Sequence, residues 1–78
     1  MKKTSSTQGR IVLIRAEPIE LAQFLKFAGL TDSGGQAKQA ITDGEVLVNG
    51  SIETRRGKKL VAGDKVAFGG ESLVVQVG

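Results

Sequence analysis

The sequence predicts an α+β domain in which a two-helix hairpin packs on a small, mostly antiparallel sheet of short strands. Two apolar stripes of helical period, each closed by a glycine, occupy residues 17–44. After Gly44 the apolar period changes to two, and Asn49-Gly50 and Gly69-Gly70 both read as two-residue hairpin turns. Seventy-eight residues suffice for one domain, close to the lower limit for a core without metal or disulfide.

Residues 1–9 (MKKTSSTQG) have no apolar side chain beyond Met1 and are expected to be a disordered tail, leaving residues 10–78 as a single domain. Residues 10–15 carry Ile11, Val12, Leu13 and Ile14 in a row, which suits a short buried or edge strand. Glu17-Pro18 is expected to open the first helix, with proline in the first turn where a missing N–H costs nothing. Leu21, Phe24, Leu25 and Ala28 make its apolar stripe, and Gly29 fits the left-handed position that ends it. Phe27 widens that apolar surface toward the strands. Ser33 and Gln36 have the spacing of a capping box and start a second helix at Gly34-Gly35. Ala37, Ala40 and Ile41 form its buried side, and Gly44 ends it. Residues 46–49 and 51–54 flank the Asn49-Gly50 turn as strands. Residues 55–59 form a basic loop, residues 65–68 a further strand, and residues 72–77 the strand that closes the sheet.

Composition excludes several chemistries. The chain has neither cysteine nor histidine, so a disulfide frame, a zinc site and Ser-His or Cys-His catalysis are all ruled out. The carboxylates are scattered one to an element, and a domain of this size rarely encloses a catalytic pocket, so no enzyme, no cofactor and no metal site is expected. The longest aliphatic run, residues 11–14, is far too short to span a bilayer, and residues 4–9 are polar where a signal peptide would be apolar. The expected location is the cytoplasm.

The charge layout is informative. Eleven basic and eight acidic residues give +3, but Arg55, Arg56, Lys58 and Lys59 fall within five positions, and Lys2 and Lys3 sit in the tail. The remaining chain has five basic and eight acidic residues, a net of −3. A local basic patch on a slightly acidic body can orient a polyanion, although such a run can also be a solvated turn. Gly34-Gly35 at a helix N-terminus offers backbone N–H groups to an anion, with tight linkage of the two helices as the alternative reading. A phosphate-binding loop of the G-x-x-x-x-G-K kind is absent, since Gly35 follows Gly34 where lysine is required. Phe24, Phe27 and Phe68 are all assigned to the core, which argues against base stacking and for phosphate and shape contacts.

The segments GLTDSGGQAKQAITDGEVLVNG and ETRRGKKLVAGDKV, in that order, resemble the RNA-binding domain named after ribosomal protein S-four. The resemblance runs from about residue 19 to 68 and is nearest to the small stand-alone bacterial proteins of the YbcJ-like and YaaA-like kind. It implies the αL motif, in which the helix pair and the strands after it form the RNA-binding fold. It also implies that the outer side of the second helix and the basic loop face RNA: Lys38, Arg55, Arg56, Lys58 and Lys59, with Lys26 and Gln39 as secondary positions. The chain departs from the broader family in having Glu20-Leu21-Ala22 where many members carry Arg-Leu-Asp, and Gly34 where many have arginine.

The expected partner is therefore structured RNA, ribosomal or transfer, or the ribosome itself, bound by a monomer. A protein-interaction module whose basic loop meets an acidic partner is the competing expectation, and DNA a third.

Overall fold

A computed structural model describes residues 10–78; the expected tail, residues 1–9, lies outside the described residues. The elements in chain order are β1 (Arg10–Ile14), β2 (Ile19–Glu20), α1 (Leu21–Phe27), α2 (Gly34–Thr42), β3 (Leu47–Val48), β4 (Ser51–Ile52), β5 (Lys59–Leu60), β6 (Lys65–Phe68) and β7 (Glu71–Val77). Five strands form one sheet in the order β1-β7-β6-β3-β4, while β2 and β5 form a separate antiparallel pair. Only β1 with β7 runs parallel; the other pairs are antiparallel, so the α+β expectation holds.

One face of the sheet is buried by the helices. Val12 and Ile14 of β1, Leu73 and Val75 of β7, Val66 of β6 and Val48 of β3 point to that face, as the period of two requires. Against them pack Leu21, Phe24 and Leu25 of α1 and Ala37, Ala40 and Ile41 of α2. The two alanines keep α2 close, and α1 packs directly on it. Leu60 of β5 is also fully buried and ties the small strand pair to the core.

Both helices end as their glycines predict. Gly29 has φ +80 and Gly44 φ +77. Each N–H bonds back three residues, and the next N–H (Leu30, Glu45) bonds back five, to Leu25 and Ala40. These are Schellman closures that need a residue at positive φ. The Asn49-Gly50 turn has both residues at positive φ, 52 and 85, and Gly69-Gly70 has 60 and 83. That is the twist-matched turn that joins β3 to β4 and β6 to β7.

Four expectations need correction. The first helix starts at Leu21, not at Glu17-Pro18, because Ile19 and Glu20 are extended and pair with Leu60 and Lys59. The strand after the first hairpin ends at Ile52 rather than Thr54, since the Glu53 carboxylate turns back to accept the Arg55 N–H at 3.2 Å. Residues 55–59 are not wholly a loop: Lys59 belongs to β5. Finally, Phe27 is 58 % exposed. It follows Gln23 by four residues and so shares the polar face of α1, not the stripe of Leu21, Phe24 and Leu25. Phe24 is buried and Phe68 half-buried against the core, as expected.

Gly44→Ala should lower the free energy of unfolding by about 1–2 kcal/mol, because alanine must adopt the left-handed conformation there. Gly57→Ala, at ordinary φ with open space around it, should change it by less than about 0.5 kcal/mol. Urea titration of the two variants checks the difference, and equal losses would contradict the Schellman assignment.

Candidate nucleic-acid interface

The basic segment begins as a turn in which the Lys58 N–H bonds to the Arg55 carbonyl at 3.1 Å. Two further carbonyls of the segment point at α1. The Arg56 carbonyl accepts the Ala22 N–H at 3.2 Å and the Lys58 carbonyl accepts the Leu21 N–H at 2.8 Å. Glu20, the residue at the N-cap of α1, provides no side-chain cap. The basic turn therefore satisfies N–H groups that a helix start leaves open, and its own backbone is held in the process.

With the backbone turned inward, the cationic side chains point out. Arg55, Arg56 and Lys59 are exposed and Lys58 is half-buried. They are not equivalent. Arg55 Nε lies 2.9 Å from a Glu53 carboxylate oxygen, and Lys59 Nζ lies 3.0 Å from Glu20. Arg56 and Lys58 make no ion pair among the described residues. The hydrogen bonds from Arg55 hold the Glu53 carboxyl below its ordinary value, and Glu53 in turn raises the Arg55 guanidinium. Arg55 donates to Glu53 through Nε and Nη2, so further guanidinium N–H sites stay open to a phosphate.

The remaining candidates lie on the helices. Lys38 is exposed on α2 with no ion pair among the described residues. Gln39 is committed: its amide donates to the Asp43 carboxylate at 2.9 Å. Lys26 is exposed in the last turn of α1, the end of the helix opposite the basic turn. Ser33 caps α2 by accepting the Gln36 N–H at 3.2 Å, and the Gln36 side chain reaches back to the Asp32 N–H. That is a capping box displaced by one residue. A Cβ at Gly34 would meet nothing within 4 Å, at Gly35 only the Ser33 hydroxyl at 4.0 Å, and neither has positive φ. Packing gives no reason for glycine at either position, so tight linkage does not explain the pair.

The carboxylates are mostly engaged in structure. Asp64 accepts the Val61 N–H and the Asn49 side-chain amide, and Asn49 accepts the Lys65 N–H. Glu17 accepts the Ala62 N–H at 2.8 Å, and Glu71 faces Arg10. Among the described residues no group of three or more acidic side chains could hold a metal ion, and no helix is long and apolar enough to cross a membrane. The sequence reading missed the pairing of Arg55 and Lys59 and the exposure of Phe27. Glu53, two residues before Arg55, was the available signal for the first.

In a carbon-detected NMR titration, Glu53 should lose its proton below the ordinary carboxyl value of 4.5 and return toward it in Arg55→Ala. Because the folded value is lowered, the pair supports the fold above the unfolded value and loses that support as pH falls through the folded one. A Glu53 titration unchanged by Arg55→Ala would show that the pair does not form in solution.

A family model described as S4 domain matches residues 12–76. The chain is 49 % identical over 57 residues to the Escherichia coli protein named "Putative RNA-binding protein YbcJ", covering 73 % of this chain and 81 % of that one. It is 48 % identical over 59 residues to the Bacillus subtilis "Probable ribosome maturation protein RlbA", covering 76 % and 83 %. The solution structure of YbcJ, described as revealing an αL motif involved in RNA-binding, superposes with a TM-score of 0.63 and 38 % identity. That superposition covers all of this chain and 96 % of the other. With the family model matching most of the chain and relatives of nearly half identity, the chain belongs to the S4 domain family.

Proposed function

We propose that this protein binds structured RNA as a monomer in the cytoplasm, by phosphate and shape contacts, and acts by binding rather than by catalysis. The observation that carries the reading is the basic turn of residues 55–58, in which the Arg56 and Lys58 carbonyls are taken up by α1 while Arg55 and Arg56 are exposed and Lys58 half-exposed. Arg56 and Lys58 are the primary phosphate contacts because neither is held in an ion pair among the described residues. Arg55 and Lys59 contribute from within ion pairs. Exposed pairs of this kind are worth little, so a phosphate can share or replace the carboxylate. Lys38 and the Gly34 and Gly35 N–H groups extend the surface along α2, and Lys26 and Gln39 are secondary. The names of YbcJ and RlbA support RNA as the ligand, and the second favours ribosomal RNA or the assembling ribosome over transfer RNA.

The test is a binding titration with ribosomal RNA fragments, transfer RNA and an unstructured RNA over a range of salt. If about five cations meet phosphates, log K should fall against log salt with a slope of about −3 to −5. Arg56→Ala/Lys58→Ala should make that slope shallower by about 1.5–2 and weaken all folded RNAs alike. Binding that is insensitive to salt, or unaffected by this double variant, would instead direct attention to an acidic protein partner.

A further inference from the structure

Phe27 is an aromatic ring that the core does not use. It forms one wall of an open groove of about 300 Å³ between the end of β1 and the outer face of α1. Pro18 and Ile19 supply apolar surface beside it, Gln23 lies one helical turn before it, and Arg15 stands at the margin. No carboxylate lines the groove. The Gln23 amide and the Arg15 guanidinium are exposed and make no hydrogen bond or ion pair among the described residues. The site thus offers a flat apolar wall, an amide able both to donate and to accept, and one free cation.

The groove and the basic turn are built on neighbouring parts of β2 and α1. Ile19 is paired with Leu60 of β5, the strand that leads out of that turn. Leu21 and Ala22, which hold the turn, immediately precede Gln23. A ligand held at Arg56 and Lys58 meets the start of α1, and one that continues along that helix passes Gln23 before reaching Phe27 at its other end.

We infer that the Phe27 groove holds one unpaired base of the bound RNA, stacked on the Phe27 ring, with Gln23 at the base edge and Arg15 at the adjoining phosphate. The inference rests on the RNA-binding reading above and narrows its target to folded RNA with a bulged or looped-out nucleotide. A base within a duplex has both faces covered by its neighbours and cannot present one to Phe27; an extruded base can. The volume is at the lower end of small-molecule sites and suits a single ring system, whereas a partner helix is about 10 Å across. The charge balance points the same way, since a free cation and no carboxylate favour a ligand that carries phosphate.

The experiment uses two RNA hairpins of equal charge, each closed by the same non-nucleotide linker so that no loop base is offered, one fully paired and one with a single bulged 2-aminopurine. The wild-type chain should prefer the bulged hairpin by about tenfold, within the range known for base–aromatic stacking, and should quench its fluorescence. Phe27→Ala and Phe27→Leu should remove both the preference and the quenching, while Phe27→Tyr keeps them. Affinity for the paired hairpin, and its salt slope, should be unchanged in all three variants. Equal affinity of the wild-type chain for the two hairpins overturns the inference and leaves the phosphate-reading proposal standing. A preference that survives in Phe27→Leu overturns stacking in particular. Failure to bind either hairpin at moderate salt overturns both proposals together. Sedimentation of the free protein covers the other occupant: a dimer abolished by Phe27→Ala would assign the groove to a second copy and overturn the inference.

Discussion

The start of α1 is capped from a distance, and the site is built on that contact. Leu21 and Ala22 donate their N–H groups to carbonyls more than thirty residues further along the chain, at Lys58 and Arg56. Leaving such buried donors unpaired costs about 1–3 kcal/mol each, so helix and turn stabilise each other. The contact is also electrostatically awkward. It brings four cationic side chains to the N-terminal, positive end of a helix, where anions are favoured. Two carboxylates relieve this: Glu20 at the N-cap pairs with Lys59, and Glu53 at the entrance to the turn pairs with Arg55. Both pairs are explained by what the fold must tolerate, before any ligand is considered.

That compensation sorts the basic residues into two kinds. Counted along the sequence, residues 55–59 carry four equal positive charges; in the folded chain Arg55 and Lys59 sit in ion pairs, and among the described residues Arg56 and Lys58 do not. On the proposed reading a polyanion meets Arg56 and Lys58 first, since neither is held in an ion pair among the described residues, and Lys58 is opposed only by the more distant charge of Glu53. Arg55 keeps guanidinium N–H groups beyond those bound to Glu53, so it can bridge its carboxylate and a phosphate at once. Lys59 gives one of its three ammonium N–H donors to Glu20 at 3.0 Å, which leaves the others for an anion but keeps the carboxylate's charge beside it.

How much of this was legible in the sequence follows from how local each cause is. Gly29, Gly44, Ser33 with Gln36, Asn49-Gly50 and Gly69-Gly70 act through hydrogen bonds within a few residues, and each does what its chemistry predicts. The start of α1 was misread because Pro18 is a sound local signal, while the deciding partners, Leu60 and Lys59, are some forty residues away. The parallel pairing of β1 with β7 joins the two ends of the described chain, and no periodicity records it. For the site, the charge run was visible and its partition was not. Glu20 is far from Lys59 in sequence, and Phe27 is apolar whether it faces the core or the solvent.

Holding the turn from behind also matters for recognition. On the proposed reading, discrimination rests on cations presented at fixed spacing to a ligand of fixed shape. A free loop would have to be ordered on binding, at about 1–2 kcal/mol for each residue whose backbone is fixed. Here the backbone of residues 55–58 is ordered by folding itself, through Leu21, Ala22 and the Arg55–Lys58 turn. Only side-chain freedom remains to be lost when an anion arrives.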